Sequence, residues 1–315
     1  MNLPALLHSV SYSGSWGQSS LTLEQFIDKA ADLGFEGVLL MAKRPHLSVL
    51  DTGRKERARL RALLEGRGLR SLCIAGYNNF TADLEHRDVP NFEIQVHYVT
   101  ELARLVHDLG GSVVRIFTGY EHSAAGYSAQ WDLVVRALKE SARRALEFGV
   151  TLGVQNHHDI AVDFESQFDL IQAVDEPNCR AMFDAWAPAL HGVDLRSAAR
   201  KMGGVTVHTT VANYQKRSRF HYDSSVVNYT AATPYMQAVP FDEGFIDYET
   251  FLKELVSSGF HGSVAYEMCS PLLGGRSVEN LDSYARRFLE AFQAYRQRLS
   301  PPEPVTSASP QMLAG

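Results

Sequence analysis

Short apolar runs alternate with longer amphipathic stretches along nearly the whole chain, and no other feature constrains its fold as tightly. Brief runs with period-two or continuous apolarity predict strands, whereas three- and four-residue spacing predicts helices. Strands are expected at ALLHSVSY (5–12), GVLLMA (37–42), SLCIAG (71–76), SVVRIFT (112–118), TLGVQN (151–156), RAMFDA (180–185), GVTVHT (204–209) and SVAYEM (263–268). Helices are expected over 22–33, 54–67, 92–109, 128–147, 164–174, 194–201, 247–258 and 279–297. Thr22 and Gly34 bracket the first helix, and Asp247 and Gly259 the seventh, each pair an N-cap and a stop signal.

Strands that alternate with helices must pair in parallel, because parallel neighbours need a crossover connection. Eight such units fit a closed (β/α)8 TIM barrel better than an open doubly wound sheet. The first strand–helix turn also lacks the GxGxxG phosphate loop of a dinucleotide fold. The expected organisation is one barrel domain over 1–299, a long insertion after strand seven (210–246), and a disordered tail over 300–315. The insertion is rich in Tyr, Arg and Phe, so an ordered lid or substrate wall is expected, with an oligomer interface as the alternative.

A formal charge of −6 argues against a nucleic-acid partner. Cys73, Cys179 and Cys269 are widely spaced with no CxxC pair, as in a chain kept reduced. The N-terminus lacks the basic and apolar segments of a signal peptide, and no apolar run is long enough for a membrane span. A cytoplasmic protein with no membrane partner is expected.

Barrel enzymes place their chemistry at the C-terminal ends of the strands. Here those ends are polar. Strand five closes in Gln155, Asn156, His157 and His158; strands six, seven and eight close in Asp184, His208 and Glu267. A lone Asp after a strand is ordinarily a turn residue, and a lone His in an apolar strand is ordinarily a satisfied core residue. Glu267, inside SVAYEM, is harder to accommodate, since an unpaired buried carboxylate is costly. A cation is its simplest partner. Strands five to eight are neighbours in a barrel, so Gln155, Asp184, His208 and Glu267 converge as mixed oxygen and nitrogen ligands. They suit a divalent metal: Mn first, with Mg, Co or Zn as alternatives. Asn156, Lys43, Arg115, Tyr120 and Arg217 are expected to bind substrate.

These strand ends resemble the xylose isomerase-like TIM barrels, the superfamily of sugar-phosphate isomerases and epimerases. The resemblance implies a metal held by Glu, Asp, His and Glu on strands five to eight. Asp184, His208 and Glu267 match the last three, while Gln155 stands where the first Glu belongs, in QNH instead of ENH. Ala187 also replaces a His that often follows the Asp by three residues. Ketose epimerases of this kind resemble two-base enzymes, and Gln cannot serve as a base. Glu267 remains as one base, with His157 or His158 as another.

The superfamily also contains metal-binding subunits of C-glycoside deglycosidases, which resemble one-base eliminations. The leading expectation is therefore a lyase that β-eliminates from a 3-keto-glycoside, with an isomerase or epimerase as the alternative and a non-catalytic barrel subunit as the third. Tyr214, Phe220, Tyr222, Tyr229 and Tyr235 in the insertion are expected to wall in a flat aglycone. The expected partner is a neutral sugar or glycoside, with a homo-oligomer and, if the deglycosidase resemblance holds, a small second subunit.

Overall fold

The computed structural model describes residues 3–86, 88–269 and 271–299; the tail expected to be disordered lies outside them. Eight parallel strands close into a barrel: β1 (Ala5–His8), β2 (Gly37–Met41), β3 (Ser71–Ala75), β4 (Val113–Ile116), β5 (Thr151–Gln155), β6 (Cys179–Met182), β7 (Thr206–Val211) and β10 (Ser263–Tyr266). Their order around the ring is β1-β10-β7-β6-β5-β4-β3-β2. Helices α1 (Leu23–Leu33), α2 (Arg54–Gly66), α3 (Asn91–Asp108), α4 (Tyr127–Leu146), α5 (Phe164–Val174), α7 (Leu195–Met202), α8 (Tyr248–Ser257) and α9 (Val278–Leu299) alternate with them. A short α6 (Trp186–Leu190), not expected from sequence, lies between β6 and α7.

Alternation along each strand decides what faces inward. Leu6, Leu39, Cys73, Ala75 and Ala265 form a small cluster in the barrel interior, apart from the main core between strands and helices. Two residues beyond Leu6 comes His8, and two beyond Ala265 comes Glu267. The outward neighbours fix the same parity: Tyr266 stacks on Phe288 of α9 with ring centroids 4.5 Å apart, and Phe183 packs 5.6 Å from Phe251 of α8. Glu267 and Asp184, the next residues, are thereby turned towards the barrel mouth.

Helix ends follow their capping chemistry. Thr22 and Gln25 form a reciprocal capping box at the start of α1, and Gly34 closes it at φ 96°. The Asp247 carboxylate accepts the Thr250 N–H at the start of α8.

Strand ends differ from the expected ones in three places that matter. β1 stops at His8 and turns into a 3-10 helix over Ser9–Tyr12. β6 stops at Met182, and β7 runs from Thr206 to Val211, two residues later than expected. The insertion, expected to be ordered, forms a two-stranded antiparallel ribbon of β8 (Asn213–Asp223) and β9 (Asn228–Val239). No helix among the described residues is long and apolar enough to cross a membrane.

Candidate active site

The mouth of the barrel holds a cavity of about 370 Å³. Gln155, His157, Asp184, Thr210, Glu267 and Cys269 supply its polar wall. Trp16, Trp186, Tyr214, Met236 and Tyr248 supply most of the apolar one.

Asp184 is the organising residue. Its Oδ1 accepts the Thr210 N–H at 2.7 Å, and its Oδ2 accepts Nε2 of Gln155. Asn156 clips its backbone from both sides, donating Nδ2 to Asp184 O at 3.0 Å and accepting Asp184 N–H at 2.8 Å. The amide of Asn156 is thus committed to holding β5 and β6 in register at the site. Burial pushes the Asp184 carboxyl up to about 7 despite those donors, and the nearby Glu267 adds to the rise.

Glu267 sits just beyond β10, where its N–H donates to Val211 O at 3.0 Å. Its Oε1 accepts the Cys269 thiol at 3.0 Å, and its Oε2 lies 3.9 Å from Nε2 of His8. Burial raises its pKa. His8 occupies the matching position on β1 and is held neutral, well below the usual imidazole range, by burial and then by Arg115.

The two adjacent histidines part company. His157 lines the cavity, and its Nδ1 accepts the His158 N–H at 2.7 Å. A neutral ring so bonded carries its proton on Nε2. Burial, reinforced by Arg115, pulls its pKa down to about 4, so the ring is neutral near pH 7 with its Nδ1 lone pair already taken, whereas a base titrating near neutrality was expected from sequence. His158 turns away at φ 67°, its ring 4.0 Å from Phe117 and 4.2 Å from Tyr120, and burial pulls it down to about 3. It does not line the cavity.

His208 is fully buried and sits one layer below the cavity floor, two residues before Thr210. Its Nδ1 bonds Ser263 Oγ at 2.7 Å, while its Nε2 has no partner. Burial holds its pKa at about 3. The donor set of Gln155 carbonyl, two carboxylates and an unpartnered imidazole nitrogen fits a divalent cation chemically. As arranged, they are not drawn together: among the described residues no three His, Cys, Asp or Glu side chains are close enough to hold a metal. The residues that would hold an ion are Gln155, Asp184 and Glu267 of the cavity wall together with His208.

The other expected substrate contacts lie elsewhere. Arg115 is buried under the mouth, donating to Gly76 O at 2.9 Å with its guanidinium 4.1 Å over Phe117 and 4.9 Å over Tyr77. From there its charge acts on Asp184, Glu267 and the histidines without lining the cavity. Lys43 is exposed and rests 4.4 Å over Tyr77. Tyr120 is half exposed, and Arg217 lies on the ribbon, donating to Gln237 at 2.9 Å. Of the five ribbon aromatics, Tyr214 alone lines the cavity; Phe220, Tyr222, Tyr229 and Tyr235 are exposed on the arm beyond it, which corrects the expected aglycone wall.

The sequence reading missed His8, Trp16, Trp186, Met236, Tyr248 and Cys269. His8 carried the signature used for Glu267, a polar residue closing an apolar run. Trp186 Nε1 and Thr210 Oγ1, both at the cavity, are buried without a hydrogen-bond partner. Buried polar groups are normally satisfied, so these two are available to bond a polar ligand.

Comparison with known proteins agrees with this architecture. Residues 27–293 match the family model described as xylose isomerase-like TIM barrel. Fructoselysine 3-epimerase of Escherichia coli O157:H7 is 20% identical over 286 residues, covering 88% of this chain and 95% of that one. A D-psicose 3-epimerase structure with D-tagatose, from Clostridium cellulolyticum H10, superposes with a TM-score of 0.70 at 17% identity, covering 95% and 100% of the two chains. A xylose isomerase-like TIM barrel protein from Mycobacterium smegmatis, in complex with magnesium, gives 0.66 at 15% identity, covering 95% and 98%. The chain belongs to the xylose isomerase-like TIM barrel family.

Proposed function

We propose that this protein is a sugar enzyme of the isomerase and epimerase class that moves a proton at a carbon next to a carbonyl, with Glu267 as its base. One observation carries the reading: Glu267 Oε2 is uncommitted at the cavity, whereas both oxygens of Asp184 are engaged. A raised carboxyl in an apolar-walled site is suited to taking a proton near neutral pH. The His157 Nε2–H, fixed by the bond at Nδ1, donates to the substrate oxygen on which charge develops. Trp186 Nε1 and Thr210 Oγ1 hold sugar hydroxyls, while Tyr214, Trp186 and Tyr248 cover the apolar faces of the ring and exclude water. A divalent cation held by Gln155, Asp184, Glu267 and His208 would polarise the carbonyl.

β-Elimination from a 3-keto-glycoside is the second reading, and Gln155 favours it. Inversion at carbon needs acid–base groups on both faces of the substrate. With an amide at Gln155, a proton-bearing Nε2 on His157 and both oxygens of Asp184 engaged, Glu267 is left as the one carboxylate with an uncommitted oxygen among the described residues of the cavity. One base suffices for elimination, or for moving a proton along one face between adjacent carbons.

Proton NMR in D2O separates the readings, using the protein loaded with Mn and a panel of free ketoses beside a 3-keto-glucoside. Deuterium incorporation with aldose–ketose or epimer products from the free sugars is expected. Loss of the C2 proton with release of the aglycone, and inert free sugars, would replace it with the lyase. No exchange in any substrate, with Glu267→Gln matching wild type, would refute both.

A further inference from the structure

Beyond its base, where Tyr214 and Met236 sit, the ribbon does not line the cavity. Asn213 anchors that base, donating to Phe241 O and Ile246 O and accepting the N–H groups of Tyr214 and Ile246. A Cβ on Gly244 would overlap the Asn213 amide, so only glycine lets the two segments approach. The backbone also meets the barrel through Ala238 with Pro271 and Leu273, and Tyr214 with Phe245. From there the strands run outward for about 30 Å at roughly 3.4 Å per residue. A lone two-stranded hairpin is at best marginally stable in water. This one needs a partner.

Its two faces differ. Tyr222 pairs with Tyr229 and Phe220 with Ala231, which sets those side chains on one face. Phe220 is 62%, Tyr222 57% and Tyr229 65% exposed, and Val226 and Val227 stand exposed at the turn. The opposite face carries Arg219 against Ala232 and His221 against Thr230. The edges are blunted by Lys216, Arg217, Arg219, a bulge at Arg217/Arg219 and Pro234, devices that discourage strand addition. The aromatic face has no such protection, so contact through the face is favoured over contact through an edge.

Charge identifies the occupant. Residues 213–239 hold Lys216, Arg217 and Arg219 against Asp223, a net of +2, which leaves −8 on the rest of a chain whose formal charge is −6. We propose that the arm docks on a second copy of this chain, in the groove after β3. That groove of about 440 Å³ presents Asp83, Asp88 and Glu93 against Arg136, with Val89 and Phe92 as its apolar floor. Nearby Ile94 is also exposed. β3 and β7 stand four steps apart in a ring of eight strands, on opposite sides of the mouth. A two-fold axis in the plane of the mouths, perpendicular to the line joining them, seats each arm in the other's groove at once. The contact is isologous and closed.

Sedimentation of the full chain over a dilution series tests this, with amide exchange in the arm read at the same concentrations. The expected mass is twice 35.0 kDa, with arm amides protected in the dimer and exchanging freely on dilution. The variant Phe220→Ser/Tyr222→Ser/Tyr229→Ser, at exposed positions, weakens dimerisation by roughly 100-fold or more and leaves the thermal transition of the barrel in place. Asp83→Lys/Asp88→Lys, which reverses the charge of the groove that receives the cationic arm, also gives monomers. A wild-type monomer at every concentration, a dimer that survives either set of substitutions, or a chain that associates only with a different polypeptide overturns the proposal.

Discussion

Acidification from pH 7 to pH 5 is expected to destabilise the protein by about 4 kcal/mol, because the fold holds four histidines neutral. His8, His157, His158 and His208 all have pKa values pulled below the ordinary 6.5, with burial the leading cause each time. Below pH 6.5 the unfolded chain takes up protons at these rings and the folded chain does not, so stability falls as pH falls. Each ring contributes about 1.4 kcal/mol per pH unit, or about 2 kcal/mol by pH 5. Four rings give up to about 8 kcal/mol, and the partly accessible His157 and His158 count for somewhat less.

Asp184 opposes them. Its carboxyl, raised from 3.8 to about 7, favours the folded state at acid pH and loses that advantage as pH rises through 7. Acidification to pH 5 therefore returns about 3 kcal/mol, and Glu267, raised by burial as well, acts in the same direction. The histidines win. A net loss of about 4 kcal/mol is a large part of the 5–15 kcal/mol of a typical domain. Urea unfolding followed by tryptophan fluorescence, with chelator present, measures it at both pH values. Asp184→Asn should enlarge the acid loss, and His208→Gln should reduce it by about 2 kcal/mol. A wild type as stable at pH 5 as at pH 7 would mean the buried rings protonate in place, and the reasoning fails.

Three further outcomes follow from the site. Glu267→Gln should lower turnover on the active sugar by at least about 100-fold while leaving urea stability at pH 7 within about 1 kcal/mol or higher, since a buried ionisable group is replaced by a neutral isostere. Trp186→Phe keeps the ring packing but removes the unpartnered Nε1, and should cut kcat/KM by roughly 3- to 10-fold, read from initial rates. Divalent cation binding at pH 7 should release protons from Asp184, seen as an enthalpy that changes with the ionisation heat of the calorimetry buffer; Gln155→Glu should tighten that binding and raise the proton release.

The barrel was legible because each strand–helix unit carries its own periodicity and needs no distant partner to be recognised. The ribbon was not, for the same reason in reverse. Over QKRSRFHYD the arm buries neither face within this chain, so no alternation of burial marks it, and it reads as a loop. Its strand character comes from cross-strand pairing, which one strand's sequence does not display.

The candidate site shows where reading strand ends works and where depth escapes it. Gln155, Asp184 and Glu267 each follow an outward-facing apolar residue, and parity alone turns them into the mouth. His208 has the inward parity too, but β7 continues to Val211, so Thr210 takes the rim and His208 falls a layer below. Parity is local, whereas depth depends on the stagger between neighbouring strands, here shifted by the irregularity between Ala181 and Met182 against β7. The chemistry of QNHHD escaped in a similar way. Sequence placed two imidazoles beside the site as interchangeable bases, and one backbone bond, His158 N–H to His157 Nδ1, makes the first a donor while left-handed φ swings the second out. What tells the two neighbouring imidazoles apart is therefore written in the backbone of a single dipeptide.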